Sequence, residues 1–247
     1  MRSDTDAHHS GSRRSTGRSS ARFGRQAVHI PSDAGVDATA LTTALVAAAE
    51  AHGATVRYGT AVTSLHLSGE RVAGVLTATG PHPAATVVLT AGTDVPALCG
   101  PLPVDLPVAS SPAALARITA PPGLVRTIVA NPEFEVREVR DGDLVLTLPH
   151  VDGPPALRER AAHDALGRLR TAFRGGDQCR LVGHGTGWRP VPAHGPLIGY
   201  ATHDRSVYVA VMHSGVTLAP TVGRLVADEL VTGRPARELL RCRPRVR

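Results

Sequence analysis

Gly187-Trp188-Arg189-Pro190-Val191-Pro192, then Pro196-Leu197-Ile198-Gly199-Tyr200, then Val207-Tyr208-Val209-Ala210-Val211-Met212 and His213-Ser214-Gly215-Val216-Thr217, form the stretch on which the fold turns. The pieces read as a loop, a buried strand and a tight polar turn. An amphipathic helix follows over residues 218–232, with Leu218, Val222, Leu225, Val226 and Leu230 on one stripe and Gly233 closing it. Such a turn aims backbone N–H groups, at the positive end of a helix dipole, toward whatever sits above it. The site suits an electron-rich or anionic group.

Upstream of this stretch, alternating helix and strand signals indicate an α/β unit. The run at residues 27–30 reads as a short strand stopped by Pro31. Asp37 is placed to cap a helix in which Leu41, Ala44, Leu45, Ala48 and His52 recur at three- and four-residue spacing, and Gly53 stands where a left-handed residue ends it. Strands are expected at residues 55–58 and 61–65. Shorter strands follow as a meander, turning at Ser68-Gly69-Glu70 and ending in Val87-Val88-Leu89-Thr90-Ala91-Gly92.

Residues 100–182 form a different layer. Strand-like runs lie at 113–119, 124–130, 134–140 and 144–148, the last two joined by Asp141-Gly142, a strong hairpin signal. Residues 154–174 then read as a helix facing inward with Leu157, Ala161, Ala165, Leu166 and Leu169. The expected architecture is α/β with an inserted α+β layer. Residues 26–99 and 183–236 belong to one domain, and 100–182 to an antiparallel-sheet substrate domain set into it.

Composition removes several function classes. The chain holds 247 residues and a net charge of +6, yet no lysine, which excludes a Schiff-base or P-loop lysine. Six arginines lie in residues 1–25 and six more in 234–247, on a nearly balanced body. Basic ends of this kind read as solvated tails, the first of them disordered, and no nucleic-acid motif accompanies them. Three widely spaced cysteines argue against a disulfide framework or a zinc site, and fit a reducing cytoplasm. The histidines lack metal-ligand spacing, and no apolar run reaches the length of a membrane helix.

The order of these pieces resembles the FAD-dependent oxidoreductases of the D-amino-acid oxidase, glycine oxidase and sarcosine oxidase superfamily. Three places carry the resemblance. They are the helix and strand at residues 36–65, the strand end Val87-Val88-Leu89-Thr90-Ala91-Gly92, and the opening stretch with its G-W-R-P, L-I-G and H-S-G-x-T-L-A-P motifs. The fold it implies is a partial Rossmann-like FAD-binding domain around the inserted sheet.

The resemblance implies roles for matching residues. Val62 would touch the adenine side of FAD, and Ala91, Gly92 and Gly187 would pass close to the cofactor. The amides of Gly215, Val216, Thr217 and Leu218 would face the pyrimidine edge of the isoalloxazine, where reduction places negative charge. Arg189 would hold a substrate carboxylate as a bidentate fork, and His213 would neighbour the flavin. The substrate would be a small amino acid or secondary amine oxidised at its C–N bond. Reoxidation would use O₂ in an oxidase and another acceptor in a dehydrogenase.

Each residue also has a plainer reading. Outside its motif Arg189 reads as a surface arginine, His213 reads also as a strand-end residue, Ser214 and Thr217 as helix caps, and Trp188 as packing, with a place on the substrate side as the alternative. The strand–G-x-G-x-x-G–helix that opens this superfamily is not found; Gly183-His184-Gly185-Thr186-Gly187 has the wrong spacing and reads as a flexible approach to Trp188. The sequence thus reads as a member without its first ~100–150 residues. The alternative to an active enzyme is a non-catalytic remnant or a partner subunit that does not bind FAD alone.

Overall fold

The computed structural model describes residues 27–151 and 153–246; the expected tail at 1–25 lies outside them. The elements in chain order are α1 (Ala38–Ala51), β1 (Val62–Ser68), β2 (Arg71–Thr77), β3 (Gly80–Pro83), β4 (Val87–Leu89), α2 (Val95–Leu98), β5 (Val104–Asp105) and β6 (Val108–Thr119). After these come β7 (Val129–Ala130), β8 (Glu135–Arg140), β9 (Asp143–Leu148), α3 (Pro155–Ala172), β10 (Arg180–Pro192), β11 (Leu197–Tyr200), β12 (Val207–Val211), α4 (Gly215–Thr232) and β13 (Arg245–Val246).

Two layers dominate. One is a five-stranded sheet in the order β10-β6-β9-β8-β7, built entirely from antiparallel pairs. Asp141 and Gly142 both take positive φ, as a two-residue hairpin between β8 and β9 requires. Alternation along the strands gives this sheet two unlike faces. Ala116, Ile118, Leu144 and Leu146 are buried in one core with Ala162, Ala165, Leu166 and Leu169 of α3. The intervening residues, Leu115 and Arg117 among them, point the other way and stay exposed.

The other layer is the three-stranded sheet β11-β12-β4. β12 is buried along its whole length because both of its faces are covered. Val207, Val209 and Val211 join Leu65, Val72 and Val95 on one side, while Tyr208 meets Val222, Leu225 and Val226 of α4 on the other. β4 pairs with β12 in parallel, Val87 opposite Val207 and Leu89 opposite Val209. β4 therefore belongs to this sheet and not to the meander, which consists of β1, β2 and β3 alone.

Several expectations are corrected. Residues 27–30 and 55–58 form no strand, because no neighbouring strand among the described residues satisfies their backbone groups. Leu157 lies outside the core, the inward stripe of α3 running through Ala162 instead. Residues 183–187 are not a flexible approach but part of β10, a 13-residue strand that crosses the expected boundary at 182. The basic C-terminal stretch is not a solvated tail. A 3₁₀ turn at Arg237–Cys242 buries Leu239, β13 pairs with β5, and Arg243 reaches an internal carboxylate.

The helix caps agree with the sequence. The Asp37 carboxylate accepts the Ala40 N–H at 3.0 Å, and Gly53 and Gly233 take positive φ just beyond the helix ends. α1 nevertheless buries none of its residues. An Arg140–Asp37 ion pair of 3.0 Å and a hydrogen bond from Arg137 to the Val36 carbonyl tie its start to β8.

Candidate active site

The parallel pairing of β4 and β12 brings two turns to the same end of the sheet. β4 runs into Thr90-Ala91-Gly92 and β12 into Met212-His213-Ser214, so these segments leave adjacent strands roughly 5 Å apart. The carboxyl end of parallel strands is where ligands bind in open α/β sheets. Gly92 holds φ +60, a conformation that favours glycine, and a carbon added to it would lie 3.7 Å from the Pro190 ring. That spacing places the Ala91–Gly92 turn beside Pro190, the residue that follows Arg189 on β10.

Arg189 lies on β10 opposite Ser111 of β6. Its Nη2 donates to Ser111 Oγ at 3.0 Å and to the Pro112 carbonyl at 3.2 Å. The guanidinium is exposed, and among the described residues it has no carboxylate partner. Two neutral acceptors thus fix the group while leaving its charge uncompensated, which suits capture of an anion. Ser111 gives no sequence signal for this role; only the register across β6 and β10 reveals it.

The N-terminus of α4 is open. Ser214 occupies the N-cap position, but its side chain makes no cap hydrogen bond. The amides of Gly215, Val216 and Thr217 are first-turn donors without intrahelical acceptors, and all three residues are exposed. Leu218 differs from these three in that its N–H donates to the Ser214 carbonyl at 3.2 Å inside the first turn. A carbon on Gly215 would meet nothing within 4 Å, so the approach to these donors is clear. His213 is exposed at the strand end.

The remaining site expectations are placed as follows. Gly187 lies on β10 two residues from Arg189, opposite Ala113. Val62 starts β1 in the meander, half exposed and paired with Thr77. The contacts described above do not join it to Arg189 or α4. Trp188 is 59 % exposed and meets the His150 ring edge-on at 6.4 Å, so it is not core packing. A groove of about 660 Å³ runs along β10 and the open face of β6, lined by Ala113, Leu115, Val145, Trp188 and Arg189.

Behind the site lies a buried cluster that the sequence reading passes over. Glu229, on the inward stripe of α4, accepts from the Tyr208 hydroxyl, from both terminal nitrogens of Arg243 and from the Ala236 N–H. Burial pushes its carboxyl up, but the hydrogen bonds from Arg243, Tyr208 and Ala236 together hold it below the ordinary glutamate value. Burial and the Glu229 carboxylate push the Tyr208 phenol upward. A glutamate three residues from Val226 and four from Leu225 was the available signal, because a charge on an apolar stripe demands a partner.

The carboxyl ends of two parallel strands, an arginine without a carboxylate partner among the described residues and an open helix N-terminus are each features that suit an anionic or electron-rich group. The family is settled by comparison: the sequence model "DAO: FAD dependent oxidoreductase" matches residues 10–229, and the chain belongs to that family. It is 33% identical over 222 residues to a D-amino acid dehydrogenase of Paramagnetospirillum magneticum, covering 85% of this chain and 51% of that protein. A D-amino acid dehydrogenase of Methylobacterium radiotolerans is 32% identical over 216 residues, covering 84% and 51%.

Among solved structures, glycine oxidase from Geobacillus kaustophilus superposes with a TM-score of 0.69 at 23% identity, covering 82% of this chain and 56% of that one. An L-amino acid deaminase from Proteus vulgaris gives 0.69 at 20%, covering 82% and 53%. These likenesses establish the fold. The chain spans about half the length of the curated relatives it matches.

The residues present fit part of the family's cofactor. Three free amides at an unobstructed helix N-terminus suit the electron-rich edge of a flavin ring. The pyrophosphate is a separate matter: no strand–G-x-G-x-x-G–helix occurs among the described residues.

Proposed function

We propose that this chain forms the substrate-holding and flavin-ring-facing part of a FAD-dependent oxidoreductase that oxidises the C–N bond of a small amino acid or secondary amine. The observation that carries the reading is Arg189, anchored to Ser111 and Pro112 without a carboxylate partner among the described residues; the Gly92 turn beside Pro190 and the open N-terminus of α4 support it. FAD, when bound, supplies the hydride acceptor. Arg189 grips the substrate carboxylate through the donors left free once Nη2 is anchored to Ser111 and Pro112. The amides of Gly215, Val216 and Thr217 favour negative charge at the ring edge. His213 flanks the site at its rim; a substrate amine that arrives neutral requires no proton acceptor from it. Val62, Ala91, Gly92 and Gly187 line the cofactor path.

The acceptor for reoxidation is O₂ or, as the names of the curated relatives suggest, another carrier. Three free cysteines suit a reducing cytoplasm, and no helix among the described residues is long and apolar enough to cross a membrane.

A second reading has its own observation. β4 is an edge strand among the described residues, and α1 buries no side chain although Leu41 and Leu45 are apolar. In this reading the chain is a partner subunit that does not bind FAD alone and works with a flavin-holding polypeptide. The two readings part in one assay, the purified chain with added FAD, amino acids and a redox dye. Turnover supports the first. Strict dependence on an added flavin-holding polypeptide supports the second. Turnover that Arg189→Gln leaves unchanged removes the carboxylate role from both.

A further inference from the structure

From the groove beside Arg189 we infer the class of side chain that the site accepts: a neutral apolar one, of leucine or phenylalanine size, lying along β10 over Gly187 and Gly185. This rests on the reading of Arg189 as the carboxylate holder and adds the rest of the substrate to it. The groove has a cation fixed at one end and apolar walls beyond it, from Ala113, Leu115 and Val145. Pairing across the strands puts Gly187 opposite Ala113, Gly185 opposite Leu115 and Gly183 opposite Arg117, so glycines and walls share one face. That face is the one α3 does not cover, since Ala116 and Ile118 point into the α3 core.

Nothing in the fold requires glycine at these positions. None of the three holds a positive φ, and a carbon added at any of them would meet nothing within 4 Å. Glycine inside a strand costs stability, and it marks places where another group approaches the backbone. The bare floor from Gly187 to Gly185 is roughly 7 Å long, the reach of a leucine or phenylalanine side chain. At the far end Arg117 is already paired with Asp143, so an acidic side chain finds no free cation there and a basic one no free carboxylate. The groove therefore selects neutral, apolar side chains.

Achiral carboxylates test this on the full chain by calorimetry, with fluorescence of Trp188, its single tryptophan and a groove residue, as the second readout. Propanoate, 4-methylpentanoate, 3-phenylpropanoate and pentanedioate stand for alanine, leucine, phenylalanine and glutamate without their amines. The two apolar probes should bind about tenfold tighter than the other two, the effect of burying roughly 55 Å² of apolar surface at ~25 cal/mol/Å². Gly185→Val, which has room to fold, should erase that preference and leave propanoate binding intact. Gly183→Val, beyond the reach of the side chain, should change nothing. Retention of the preference in Gly185→Val overturns the subsite while leaving Arg189 in place. Pentanedioate binding as tightly as 3-phenylpropanoate overturns the apolar class, and no response to any probe overturns the proposal. If Arg189→Gln binds all four as the parent does, the carboxylate role itself fails.

Discussion

Glu229 shows what a single residue does here. The residue is 3% exposed and its carboxylate is compensated by Arg243, Tyr208 and the Ala236 amide, so it fastens the C-terminal segment to α4. Removing one partner of such a pair strands a buried charge, which costs about 3–5 kcal/mol. Arg243→Ala should lower unfolding free energy by about 3 kcal/mol in urea titrations, whereas an exposed change such as Arg224→Ala should stay within about 0.5 kcal/mol. The pH dependence has a definite sign. The folded Glu229 carboxyl lies below its ordinary value, so its stabilisation is present above about 4.3 and is lost as pH falls through the folded value. The melting temperature of the parent should fall on acidification below that point, and Glu229→Gln should flatten the dependence. An unchanged acid slope in that variant removes Glu229 as its source.

Cys99 is the contrasting case. Burial alone pushes its thiol up to about 11, which makes it a packing residue and a poor nucleophile near neutrality. A thiol reagent at pH 8 should modify the half-buried Cys242 first and reach Cys99 and Cys179 only on unfolding.

Among the elements, α4 and α1 differ most in what holds them. α4 buries a stripe against Tyr208 and Ile198, and this packing fixes where its first turn lies. Proline is tolerated in a first turn and deletes one amide. Val216→Pro should therefore leave the melting temperature nearly unchanged while weakening flavin binding, measured by equilibrium dialysis with FAD. Equal affinity would show that the α4 amides do not face the ring. α1 relies on a cap, one ion pair and the Arg137 hydrogen bond. Its amides should exchange with solvent faster than those of α3, whose inward face is fully buried.

Much of this was legible in the sequence for a physical reason. Caps, hairpin glycines and the α4 stripe are local signals, and Asp37, Asp141-Gly142 and Gly233 act as their chemistry dictates. What stayed hidden is relational. Residues 55–58 carry strand-forming side chains, but a strand exists only beside another strand. The Arg243–Glu229 pair joins residues 14 apart across a turn, and the Arg189–Ser111 bond joins residues 78 apart across a sheet. Arg189 itself could be singled out because G-W-R-P is local, whereas its anchor could not.

At the scale of the whole molecule, the fold sets an antiparallel sheet beside the carboxyl ends of β4 and β12, and the proposed chemistry lies between them. The family is established over residues 10–229, and in the proposed function the α4 amides face the flavin ring edge while Arg189 is the cation that meets the substrate. The most direct test is anaerobic mixing of the purified chain with FAD and an amino acid, following loss of the visible absorbance of oxidised flavin. The account predicts bleaching that depends on the amino acid and slows on the order of 100-fold in Arg189→Gln, as expected for loss of a charge-assisted hydrogen-bonded pair. Bleaching at the parent rate in Arg189→Gln, or none with any amino acid even when a flavin-holding polypeptide is supplied, would contradict it.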